Sequence, residues 1–89
     1  MKIGVIGGGA WGTALAQVAA RGGDPVLLWA REPDVVASIN QTHENSRFLA
    51  GIALPPSIRA TGALGDLAAC DALLVVAPAQ HVQIGRAHV

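Results

Sequence analysis

An α/β fold built on a doubly wound parallel sheet is what this sequence predicts, on three observations. Apolar runs at residues 2–6, 25–30 and 72–77 alternate with stretches of helical spacing, as consecutive βαβ units do. The runs at 26–29 and 73–76 are continuously apolar, as strands buried on both faces are. A glycine-rich turn at residues 7–12 leads from the first strand into the first helix. Right-handed crossovers then give the strand order 3-2-1-4, with the last run beside the first and the topological switch point between them.

Each element has a local reason. Residues 2–6 are a short β-branched run that stops at Gly7. Residues 10–21 place Ala14, Leu15, Val18 and Ala19 on one helical face, and Gly22-Gly23 ends that helix. Residues 25–30 form the second strand. Pro33 suits a first helical turn, and Val35, Val36 and Ile39 give residues 34–41 a buried stripe. Residues 42–56 read as a loop with room for one helical turn, punctuated by Gly51 and Pro55-Pro56. A brief edge strand follows at 58–61, a short helix at 64–69, and a strong strand at 72–77 closed by Pro78.

Composition narrows the function. The 89 residues make one small domain, too short for a complete two-domain enzyme. Hydrophobic residues are 52% and charged ones 13%, against about 25% charged in ordinary domains. Six Lys/Arg balance six Asp/Glu, so no basic field exists for nucleic acid or an anionic membrane. The single Cys70 excludes a disulfide framework or a Cys-based zinc site, and it reads as a small core residue. The apolar N-terminus is interrupted by Gly7, Gly8, Gly9 and Gln17, unlike a signal peptide, and no stretch reaches the roughly 20 apolar residues of a spanning helix. A cytoplasmic, untargeted chain is expected.

Chemistry concentrates in the glycine turn. Gly7-Gly8-Gly9-Ala10-Trp11-Gly12 is Gly-x-Gly-x-x-Gly, and it stands between a strand and a helix in a βαβ unit of the right length. Gly7 makes the tight turn, Gly9 lets a pyrophosphate approach the backbone, and Gly12 lets the helix pack close to the sheet. The helix N-terminus then faces the phosphates with free N–H groups. No Gly-Lys-Ser/Thr follows, so it is not a P-loop. The expected fold is therefore the first part of a Rossmann-type sheet with a dinucleotide site.

About twenty positions further on, the second strand ends in Trp29-Ala30-Arg31-Glu32. Arg31 favours NADP by pairing with a 2′-phosphate, while Glu32 keeps NAD open through the ribose hydroxyls. Trp11 stands at the helix mouth, where packing against Phe48 and lying along the cofactor are both open. His81, past Pro78 at the end of the last strand, has a place near the nicotinamide or as an ordinary surface residue. His43-Glu44 begins a zincin-like string, but Arg47 stands where the second histidine belongs, so no metal site is expected. Asn40-Gln41-Thr42 matches a glycosylation sequon, without meaning in a cytosolic protein. No side chain here is a credible general acid over a developing alkoxide, so no catalytic residue is assigned.

Three blocks carry a family resemblance: residues 3–16; Leu28-Trp29-Ala30-Arg31; and residues 43–55, which run from His43-Glu44-Asn45 through Phe48-Leu49-Ala50-Gly51 to Pro55. The chain resembles bacterial NAD(P)-dependent glycerol-3-phosphate dehydrogenases from about Met1 to Val82. The last block is the most specific, and Ala50 departs from the family's usual proline. The resemblance implies interconversion of dihydroxyacetone phosphate and sn-glycerol 3-phosphate, feeding phospholipid synthesis. It implies that Ala10, Trp11 and Arg31 touch the cofactor. With Gly7, Gly9 and Gly12 of the turn, and with Phe48, Pro78 and His81, these make up the candidate cofactor-binding set. The catalytic lysine and the groups holding the phosphate substrate are implied to lie beyond this chain, in later strands and a helical domain. A non-catalytic dinucleotide sensor, a related Rossmann dehydrogenase and a homodimeric assembly all stay open.

Residues 83–89 depart from the family pattern. Ile84-Gly85-Arg86-Ala87-His88-Val89 is also what a widely used sequencing adapter encodes in frame, so Val82 is expected to be the last native residue. In such a fragment the outer edge of the strand at 72–77 is expected to lack a partner. An open apolar edge invites aggregation, so residues 1–89 alone are expected to be poorly soluble or molten.

Overall fold

The computed structural model describes residues 1–76 and the backbone of residues 82–86. The elements run β1 (Ile3–Ile6), α1 (Ala10–Ala20), β2 (Val26–Trp29), α2 (Pro33–Thr42), β3 (Ile58–Thr61), a 3-10 helix (Leu64–Ala69), β4 (Ala72–Val76) and β5 (Val82–Arg86). They form one sheet in the order β3-β2-β1-β4-β5. β1, β2, β3 and β4 are mutually parallel, so the expected order 3-2-1-4 is present. The short helix expected at 64–69 is of the 3-10 type, a form that short connectors commonly take.

One expectation is corrected. The outer edge of β4 is paired: β5 lies antiparallel along it, with Leu74 opposite Ile84. A strand edge offers N–H and C=O groups to any extended backbone. The segment after β4 takes up that ladder by doubling back, which hydrophobic pattern alone did not disclose. The outermost strands of the described sheet are instead β3 and β5.

Helices α1 and α2 cover one face of the sheet. Ala16, Ala20, Val35 and Ile39 pack with Val5, Val26, Leu28, Ile58 and Ala60 in a single cluster. The strand residues in that cluster alternate along each strand, as one pleated face requires. On the opposite face Gly4 lies against Leu73 of β4 and against Leu67 and Cys70 of the 3-10 helix and its C-cap. Cys70 is buried, and burial pushes its thiol up, with Asp71 adding to the rise and Lys2 opposing it. Because only the thiolate alkylates readily, Cys70 should resist iodoacetamide in native protein and react fully in denaturant. Equal labelling rates in the two states would mean that this face opens.

The β3 edge is guarded by a side chain. Asn40 of α2 donates to Ala60 O at 2.9 Å and accepts from Ala60 N at 2.8 Å. Its amide thus replaces a missing strand, which is a use for the sequon asparagine that the sequence did not reveal.

Candidate functional site

The turn after β1 is held in its shape by backbone necessity. Gly7 has φ +129°, a region L side chains rarely adopt. A Cβ on Gly12 would sit 1.7 Å from Gly7 O, so α1 starts hard against the turn. A Cβ on Gly8 would sit 2.4 Å from the Ala30 Cβ. Gly9 is different: a Cβ there meets nothing within 4 Å, so it faces open space. The structure thus separates the glycines the motif groups together. Gly7 is required by its backbone conformation, Gly8 and Gly12 by packing, and Gly9 is left bare beside a cleft.

Gly9 is also the N-cap of α1, with no side-chain cap and no acidic residue in the first turn. The first-turn N–H groups of a helix have no intrahelical acceptor, and here no side chain of the described residues covers them. Thr13 locks the turn from below: its backbone N and its Oγ1 both donate to Gly9 O, at 2.9 and 2.8 Å.

The cleft has a volume of about 280 Å³ and is lined by Gly7, Gly8, Gly9, Trp29, Arg31, Glu32 and Phe48. It lies over the C-terminal ends of β1 and β2, where a parallel sheet binds ligands. Four of the sequence candidates meet there: Gly7, Gly9, Arg31 and Phe48. Ala10 and Trp11 are exposed in the first turn of α1 and do not line the cleft, and Gly12 is buried behind it. Pro78 and His81 lie outside the described residues.

The far wall is built by the loop between α2 and β3. α2 ends at His43 in the left-handed region, which turns the chain back toward the glycine turn. Phe48 follows on the cleft wall, with the Arg47 guanidinium 5.2 Å from its ring centroid. Arg47 is itself tied to Asp34 of α2 at 3.1 Å. Trp29 is fixed at the rim by donation of Nε1 to Gly62 O at 3.1 Å. Arg31 and Glu32 stand side by side in the lining, so the geometry presents both the cationic and the acidic reader.

Sequence reasoning overlooked Trp29, Gly8 and above all Asn45. Asn45 is completely buried and bonded to the glycine turn. No motif marks it; the only signal was its place in the specific block at residues 43–55.

With a strand, a bare-glycine turn, an uncapped helix and a cleft in place, comparison with known proteins is informative. Residues 2–87 match the family described as NAD-dependent glycerol-3-phosphate dehydrogenase N-terminus. The chain belongs to this family. It is 67% identical over 82 residues to a protein of Caulobacter vibrioides named glycerol-3-phosphate dehydrogenase (NAD(P)+), covering 92% of this chain and 25% of that protein. A Parvibaculum lavamentivorans protein of the same name is 63% identical over 82 residues, again 92% of this chain and 25% of the relative. Among solved structures, glycerol-3-phosphate dehydrogenase from Coxiella burnetii superposes with a TM-score of 0.75 at 36% identity, covering 83% of this chain and 23% of that one. The Plasmodium falciparum enzyme gives 0.79 at 30% identity, over 85% and 24%. The chain therefore spans about a quarter of the length of these relatives. Among the described residues, no helix is long and apolar enough to cross a membrane.

Proposed function

We propose that this chain is the cofactor-binding N-terminal part of an oxidoreductase. The whole enzyme interconverts dihydroxyacetone phosphate and sn-glycerol 3-phosphate with NAD(P)H, for glycerophospholipid synthesis in the cytoplasm. The observation that carries this reading is Gly9: a bare, uncapped helix start opening on a cleft that Arg31 and Phe48 also line. These residues fit a dinucleotide. The N–H groups of the turn suit its pyrophosphate, Phe48 offers an apolar wall, and Arg31 or Glu32 stands where ribose substituents are read. Ala10, Trp11, Pro78 and His81 complete the proposed set.

The bound cofactor supplies a hydride for the carbonyl carbon of the substrate. The chain's own part is to hold and orient the cofactor. The group that protonates the resulting alkoxide and the phosphate-binding residues belong to the later part of the enzyme. We assign residues 1–82 to the cofactor domain and 83–89 to a foreign tail. The matches to the Caulobacter and Parvibaculum proteins each cover 82 residues, although the family match extends to residue 87. Resequencing the source DNA across codon 82 decides the tail: an uninterrupted frame with different codons removes it.

NADP is the favoured cofactor, on Arg31. The full-length protein should oxidise NADPH in the presence of dihydroxyacetone phosphate, and no such oxidation would remove the enzyme assignment. In the same assay Arg31→Ala should raise the KM for NADPH about tenfold, as loss of a charge-assisted hydrogen bond does, and the KM for NADH less than about twofold. Equal effects on both would hand the ribose to Glu32 and make NAD the natural partner.

A further inference from the structure

We infer that Asn45 is the positioning residue of this site: it fastens the Phe48 wall to the glycine turn and aims the turn's N–H groups into the cleft. The inference rests on the dinucleotide reading above and goes beyond it by naming a residue that touches no cofactor. Asn45 and Thr13 are both fully buried, and they are the buried polar residues of the described core. Both N–H groups and the oxygen of the Asn45 amide are engaged. Nδ2 donates to Gly8 O at 2.8 Å and to Thr13 Oγ1 at 2.8 Å. Oδ1 accepts from Phe48 N at 3.2 Å, and the Asn45 carbonyl accepts from Leu49 N at 2.8 Å. Thr13 passes the sense of the relay on, because its hydroxyl accepts from Asn45 and donates to Gly9 O.

The consequence follows from peptide geometry. A trans peptide points its C=O and N–H in opposite directions, and the described chain contains no cis bond. When Gly8 O is drawn inward to Asn45, the N–H of Gly9 is turned outward. When Gly9 O is drawn inward to Thr13, the N–H of Ala10 is turned outward. Two carbonyls that would repel an anion are thus hidden, and two donors are presented in their place. The same amide grips the backbone of Phe48, so the donors and the aromatic wall are set by one side chain.

Asn45→Asp is the informative change because it keeps the shape and removes the donor. A carboxylate facing Gly8 O repels it, and the Thr13 hydroxyl must then choose between the carboxylate and Gly9 O. In the full-length protein, NADPH or NADH binding is read by fluorescence titration beside kcat and both KM values. Asn45→Asp should weaken dinucleotide binding about tenfold, the scale of one misdirected hydrogen bond to a charged ligand. The KM for the second substrate, and kcat at saturating cofactor, should move less than about twofold. Thr13→Val, which removes only the lower arm, should weaken binding about threefold and add less than proportionally to Asn45→Asp, as members of one network do. It also carries the test if Asn45→Asp does not fold. Unchanged binding in a folded variant overturns the inference. So do losses of kcat and binding that merely follow lost thermal stability, and so does failure of both variants to fold, since Asn45 is then only a core residue. A wild-type protein that binds neither nucleotide is a different result: it removes the dinucleotide reading itself.

Discussion

Gly12→Ala should destabilise the fold severely. The added Cβ falls 1.7 Å from Gly7 O and 2.8 Å from Gly7 C, both backbone atoms with no rotamer to escape into. Gly7 cannot retreat easily, because its N–H is bonded to Trp29 O at 3.0 Å and its φ is +129°. Alanine does gain helix propensity over glycine, but only about 1 kcal/mol. Overpacking against a fixed neighbour costs about 3 kcal/mol or more, so the clash wins. In a domain of this size a net loss of about 2 kcal/mol lowers Tm by roughly 8–16 °C. Thermal unfolding followed by circular dichroism reads this directly. A Gly12→Ala protein melting within a degree or two of wild type would mean that α1 does not start where the turn places it.

Much of the fold could be read from sequence, for a reason specific to its strands. Continuous apolar runs mark β2 and β4 as strands of a parallel sheet, although in the structure β4 is half-buried throughout and β2 is fully buried only at Val26 and Leu28, and the helical stretches between them force the crossover order. The β3-β2-β1-β4 arrangement follows from those two facts. β5 did not follow, because its pairing with β4 is made by backbone groups, which leave no mark on side-chain pattern. The cleft was half legible. Gly9 and Arg31 announce themselves by position relative to a strand end, whereas Trp29 and Gly8 enter the lining only through the way β2 and the turn meet. Asn45 was illegible in principle from spacing. It lies 37 residues from Gly8, and its function depends on a left-handed residue at His43 that folds the loop back onto the turn.

Gly9→Ala should have the opposite profile to Gly12→Ala: a folded protein that has lost its dinucleotide. The Cβ meets no atom within 4 Å, and the backbone at φ −75° is open to any residue. The cost to folding is a weakened N-cap, up to about 1 kcal/mol, because alanine caps a helix less well than glycine. The cost to binding is larger, since the methyl group occupies the space through which a phosphate must approach the turn's N–H groups. Losing one such charge-assisted hydrogen bond is worth about 1.5–3 kcal/mol, and displacing the phosphate loosens more than one. Dinucleotide affinity should therefore fall about a hundredfold or more, equivalent to about 2.7 kcal/mol, while the melting temperature of the unliganded protein moves by a few degrees. The two glycines thus divide the motif into a packing requirement and a binding requirement. Titration and melting of both variants side by side separate them. Normal affinity in Gly9→Ala would place the phosphates elsewhere, and with them the claim that this cleft is the cofactor site.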